Sequence, residues 1–183
     1  MQDTYLNAYV LRGILAYNQG QYDTAIKDFE QALNYPVERF GRSRWAQFHY
    51  LIGTVYEATG ESEKAKNAYE QTLTIALENR GSDRQYLYYH GQAYKKLGKS
   101  AESEKVFQEM LDMTQRQSES TFFRQFEGGG SQDSRLADNH YLAGLANQGL
   151  GQTKAAREEF TKALELDPGH VWAKQHLAML EEE

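Results

Sequence analysis

Apolar residues return every three or four positions along most of this chain, the spacing that lines one face of an α-helix. That rhythm predicts paired helices. Tyr5 to Tyr17 reads as a first helix, Gly20-Gln21 as a turn, and Tyr22 to Tyr35 as a second helix. Pro36 closes it, because proline continues a helix only at the loss of a hydrogen bond and a clash with the preceding turn. The same reading predicts helices over Arg44–Thr59 and Ser62–Asn79, over Asp83–Leu97 and Ser100 to about Gln117, and over Arg135–Leu150 and Thr153–Leu166. Asp167-Pro168-Gly169 ends the fourth pair, and an unpaired helix follows from Val171 to about Glu182.

Four glycine pairs punctuate these helices: Gly13/Gly20, Gly53/Gly60, Gly91/Gly98 and Gly144/Gly151. A small residue stands five positions after each pair (Ala25, Ala65, Ser103, Ala156) and an aromatic nine positions after it (Phe29, Tyr69, Phe107, Phe160). The first glycine of each pair falls inside a helix, where glycine costs about 1 kcal/mol relative to alanine. Its use there implies a partner helix passing too close for a side chain. The second falls at a helix end, where glycine accepts a left-handed backbone. A helix–turn–helix unit written four times cannot bury its apolar face alone, so stacking of neighbours is expected, and binding rather than chemistry is the expected role.

These positions resemble the tetratricopeptide repeat. Unit one offers Tyr9, Gly13, Gly20, Tyr22, Ala25, Phe29 and Ala32; unit two offers Ile52-Gly53, Tyr56, Gly60, Ala65 and Tyr69. Unit three offers Gly91, Tyr94, Gly98 and Phe107, and unit four Gly144, Gly151, Ala156, Phe160, Ala163 and Pro168. The resemblance implies an all-α, right-handed superhelix (an α-solenoid) of four helix pairs. The repeats fall at about 6–39, 46–79, 84–117 and 137–170, and a capping helix at 171–182 shields the open end. The chain departs from the family in spacing. Its leading glycines lie 40, 38 and 53 positions apart, against a repeat of about 34 residues, so extra residues are expected between units. Arg12 and His90 replace the leucine expected before the glycine, and Arg12 there needs a carboxylate partner or a route to solvent. More weakly, Leu11-Arg12-Gly13, Phe29-Glu30-Gln31-Ala32-Leu33 and Gly169-His170-Val171-Trp172-Ala173 are similar to the C-terminal repeat segment of large bacterial proteins with an uncharacterised mutarotase-like β-domain.

Residues 118–134 break the pattern. Ser118-Glu119-Ser120 is read as ending a helix, and Gly128-Gly129-Gly130 is flexible by composition. The segment is expected to be an irregular insertion: either a loop whose phenylalanines plug a gap, or a flap that touches a ligand with Phe122 or Phe126.

Composition narrows the function further. The chain has no cysteine, which excludes disulfides, thiolate chemistry and cysteine-bound metal. A net charge of −6 is the wrong sign for broad contact with phosphates, so no nucleic-acid partner is expected. No apolar run is long enough to span a membrane. Met1-Gln2-Asp3-Thr4 leads straight into a helical pattern without a basic stretch and apolar run, so no signal peptide is read and a cytoplasmic location is favoured. The five histidines lack metal-ligand spacing, and no nucleophile elbow or phosphate loop is present. His49, His90 and His140 read as core histidines, and the acid pairs Glu61/Glu63 and Glu158/Glu159 as solvated charge. No cofactor, metal or catalytic residue is assigned, and the chain is read as non-enzymatic.

In a tetratricopeptide array the first helix of each pair lines the concave face. Mapping the repeat onto this chain places there Asn7, Leu11 and Tyr17, then Gln47, Tyr50 and Thr54, then Tyr88, Tyr89, Gln92 and Lys95, and finally Tyr141 and Gln148. Tyrosine supplies contact area at low entropic cost, so these residues are candidates for binding a protein or peptide partner, unless they pack against the neighbouring unit. The family's chaperone carboxy-terminal clamp needs lysine, arginine and asparagine where this chain has Val10, Ile14, Leu51, Gln85 and Tyr89, so that clamp is absent. A second reading makes the array an accessory domain of a larger carbohydrate-active or carbohydrate-sensing bacterial protein, with tyrosines stacking on sugar rings.

Overall fold

The computed structural model describes residues 2–36, 39–77, 81–124 and 131–181. Along them run α1 (Gln2–Asn18) and α2 (Tyr22–Leu33), α3 (Trp45–Ala58) and α4 (Ser62–Thr74), α5 (Leu87–Lys96) and α6 (Ser100–Arg124), α7 (Ser131–Gly149) and α8 (Thr153–Leu166), and α9 (Val171–Met179). Each odd helix packs on the even helix that follows, and each even helix packs on the next odd one. The result is an all-α superhelix of four pairs plus a final helix. Among the described residues no helix is long and apolar enough to cross a membrane.

The glycine pairs do two different jobs. A Cβ added at Gly53 would lie 2.5 Å from the Tyr69 ring, and one at Gly91 2.5 Å from Phe107; Gly13 and Gly144 meet Phe29 and Phe160 in the same way. The aromatic of the second helix therefore lies flat on the backbone of the first, and only hydrogen leaves room for it. Gly20 instead has open space around it but a φ of 71°. Its N–H donates to the Tyr17 carbonyl at 2.9 Å, and the Gln21 N–H reaches back to Ala16 at 2.8 Å. This is the Schellman closure of a helix end, which satisfies carbonyls that would otherwise be left open.

One close approach does not belong to the repeat. A Cβ at Gly149 would overlap the Phe107 ring. Phe107, fully buried, is thus held between Gly91 of its own unit and Gly149 of the next. Arg12 finds both a partner and a route to solvent: its Nε donates to Asp28 at 2.6 Å while its side chain is 61% exposed, and Asp28 is 2% exposed.

The extra residues between units lie in short 3-10 turns at Arg39–Arg44 and Gly81–Tyr86, and in a longer pair of helices between units three and four. This corrects the expectation of an irregular 118–134 insertion. Helix α6 runs on to Arg124 and α7 begins at Ser131. The reason is local: serine, threonine and glutamate are mild rather than prohibitive in a helix, and no glycine or proline intervenes before Gly128. Phe122 lies on α6; its side chain, and all of Phe126, fall outside the described residues, and so does the flap they were assigned to.

Helix α9 does more than the capping role expected of it. It packs on α8 as a cap should, with Leu180 buried and its carbonyl accepting from Arg157 at 2.7 Å. Its Trp172, however, also packs against the buried cluster formed by Leu6 and Val10 of α1, Ala32 of α2 and Phe48 of α3. The superhelix winds so far that its last helix meets its first.

Candidate functional site

Helices α1, α3 and α5 turn one face toward a shared space, and α9 lies across it. What remains is a cavity of about 220 Å³. Its floor comes from Ile14, Tyr17 and Asn18 of α1 with Phe29 of α2, and from Tyr50, Leu51 and Thr54 of α3. Tyr88 and Tyr89 of α5 form one wall. The roof is Trp172, Gln175, His176 and Met179 of α9.

The structure brings five of the twelve candidate groove residues to this cavity: Tyr17, Tyr50, Thr54, Tyr88 and Tyr89. Of these, Tyr88 and Tyr89 are buried, as is Tyr141 beyond the cavity. They are wall, not free contact surface. Tyr50 sits between two rings, 5.6 Å from both Tyr69 and Tyr89. Tyr88 lies edge-on to Tyr89 at 5.4 Å. Gln47 is buried too, donating from Nε2 to the Tyr89 hydroxyl at 2.7 Å. Asn7 accepts from Arg44, and Gln148 Oε1 meets His176 Nδ1 at 2.9 Å. Leu11 and Gln92 are half-buried and Lys95 is exposed; none of the three lines the cavity.

The lining is electrically quiet. Burial pushes the Tyr50, Tyr89 and Tyr141 hydroxyls well above the ordinary tyrosine range, so they stay protonated. His176 is packed edge-on to Tyr88 at 5.4 Å and stacked on Phe160 at 5.6 Å. Burial, with a smaller contribution from His170, pushes its pKa down to about 4, so it is neutral at pH 7. The nearest organised charge lies outside. Glu57 accepts from the Tyr69 hydroxyl at 2.7 Å and from Lys96 at 2.6 Å. Burial alone would raise the Glu57 pKa, but these two donors outweigh it and hold the carboxylate low.

Sequence reasoning missed the roof. It also missed the core histidine: His49, His90 and His140 are only half-buried, whereas His176 is buried. The signal was present, because Trp172, His176 and Leu180 repeat every four residues and mark the inner face of α9. Glu159, read as solvated, is in fact held by His140 Nδ1 at 2.7 Å and Lys162 at 2.6 Å. Among the described residues no group of three or more histidines or carboxylates converges as a metal site would require.

Three models of the tetratricopeptide repeat match the chain, at residues 4–78, 85–116 and 137–170. A search of curated proteins finds no significant match. Solved structures with a similar arrangement include MamA from Desulfovibrio magneticus RS-1, at 18% identity and a TM-score of 0.35, covering 96% of this chain and 83% of that one. YrrB, described as a tetratricopeptide-repeat protein with an unusual peptide-binding site, matches at 21% identity and a TM-score of 0.35, over 92% and 89% of the two chains. The first repeat domain of Spaghetti, solved with an HSP90 peptide, matches at 16% identity and a TM-score of 0.31, over 76% and 93%. None of these likenesses bears on what the present chain binds.

Proposed function

The chain belongs to the tetratricopeptide-repeat family, and from that premise we propose that it is a non-catalytic interaction scaffold whose concave trough receives a segment of a partner protein. The observation that supports this reading is the convergence of three odd helices on one tyrosine-lined cavity. Aromatic walls with hydroxyl tips suit an extended or helical segment that inserts a large side chain and leaves its backbone outside. The contacts assigned to that segment are the candidates still within reach of solvent: Leu11, Tyr17, Tyr50, Thr54, Gln92 and Lys95. Asn7 and Gln148 are engaged within the fold, and Tyr88, Tyr89 and Tyr141 shape the trough from behind. The positions of the family's chaperone clamp hold apolar, amide and tyrosine side chains here, so tight capture of an acidic carboxy-terminal tail is not part of the proposal.

The test is a peptide-display selection against the full chain, followed by titration of the enriched peptides. Leu11→Glu and Tyr17→Ala, both at half-buried sites, should weaken those peptides tenfold or more without unfolding the protein. Peptides that bind both variants as tightly as the parent would place the interaction elsewhere.

A further inference from the structure

The space under α9 is too small for a helix, whose side chains span about 10–12 Å, but it has the size of a single flat ring system. A dry cavity of about 150 Å³ lined by leucine, isoleucine and phenylalanine admits benzene. On that scale, the cavity of about 220 Å³ here takes roughly nine heavy atoms, the number in indole. Its aliphatic surface is Ile14 and Leu51, and its aromatic surfaces are Tyr17, Tyr50, Tyr88 and Trp172. No carboxylate, lysine or arginine lines it, and His176 is neutral. That excludes a charge-paired cation or anion. Asn18, Gln175 and the tyrosines bring further polar groups to the lining, and among them the Thr54 hydroxyl is fixed by the fold to orient a guest. The Thr54 hydroxyl donates to the Leu51 carbonyl at 2.7 Å, which leaves its lone pairs free to accept.

We propose that this cavity binds one neutral bicyclic aromatic ring of indole size, with its N–H donating to Thr54 Oγ1. The ring could be a tryptophan side chain of a protein segment or a free small molecule, and both present the same chemistry. The proposal stands apart from the scaffold reading, because it concerns a ring and not the chain that carries it.

The experiment uses the unmodified 183-residue chain and indole itself. At roughly millimolar indole, the range expected for nine heavy atoms, intermolecular NOEs should join indole protons to the methyl groups of Ile14, Leu51 and Thr54. Thr54→Val should weaken indole about fivefold, the loss of one hydrogen bond, and leave naphthalene unchanged. A tripeptide Ala-Trp-Ala that competes for the same NOEs identifies a side chain as the source. Indole binding without competition identifies a free molecule and counts against the scaffold reading alone. Absence of these NOEs, NOEs to another surface, displacement of indole by tetramethylammonium, or an unchanged indole affinity in Thr54→Val would each overturn the proposal. The NOE measurement needs only the unmodified protein, so misfolding of the variant would not spare the inference.

Discussion

Replacing Gly13 with alanine separates the two roles that glycine plays in each repeat. On helix propensity alone the change should stabilise α1 by about 1 kcal/mol. The structure opposes that gain. The new methyl group would lie within 3 Å of three atoms of the Phe29 ring, and Phe29, 1% exposed, can yield only by shifting toward the cavity whose floor it forms. Overpacking of this kind costs about 1–3 kcal/mol, so the net effect should be a loss of up to roughly 2 kcal/mol. For a chain of this length that lowers Tm by a few degrees. Phe29→Leu should cost stability in the parent but much less in Gly13→Ala, with a coupling of about 1 kcal/mol or more. Gly20→Ala is the control. Nothing lies within 4 Å of its added methyl, and only its φ of 71° is unfavourable, which costs about 1–2 kcal/mol. That loss should be additive with Phe29→Leu. Urea unfolding followed by far-UV circular dichroism reads the parent and the five variants. A stabilised Gly13→Ala, or a coupling to Phe29 no larger than that of Gly20→Ala, would refute the close-packing argument.

Three further outcomes follow from the structure. Arg12→Met strands the buried Asp28 carboxylate and should destabilise by about 1–3 kcal/mol, with part of the loss recovered in Arg12→Met/Asp28→Leu; unfolding midpoints check this. His176 is neutral in the fold with its pKa depressed to about 4, so the unfolded chain takes up its proton first as pH falls. Stability should be full above about pH 6.5 and decline towards pH 4, by about 1.4 kcal/mol per unit for this one group, and His176→Gln should flatten that slope. His49 and His90, whose pKa values burial also lowers, should leave a residual slope of the same sign. Trp172→Ala should reduce hydrogen-exchange protection in α1 as well as in α9, because the indole packs on the buried cluster that holds Leu6 and Val10; loss confined to α8 and α9 would contradict the contact.

How much of this was legible before the structure depends on how local the cause is. The pairing of Gly13 with Phe29, and the turn at Gly20, arise within one unit, where spacing along the chain maps directly onto distance. The partner of Arg12 was required by burial cost, yet Asp28 could not be named, since Asp23 and Glu30 stand on the same helix. The run of α6 past Ser118 was misread because three polar residues were given the weight of a stop signal that only glycine or proline carries. The clamping of Phe107 by Gly149 depends on how two units dock, which no periodicity inside either unit records. The roofing of the trough by α9 lies furthest from the sequence. It follows from the summed rotation of four units, the first three joined by 3-10 turns, so the packing of Trp172 on the cluster that holds Val10 is invisible until every step is known. For the same reason the tyrosines read as a binding surface divided into cavity lining and buried wall.

The meeting of the last helix with the first can be tested directly by NOEs from the Trp172 indole ring in the unmodified protein. The structure predicts cross-peaks to methyl groups of Leu6 or Val10 on α1 together with contacts to the buried cluster that holds Tyr141 and Leu180. A Trp172 ring that reports only the second set would show an open trough, and the enclosed cavity would not exist.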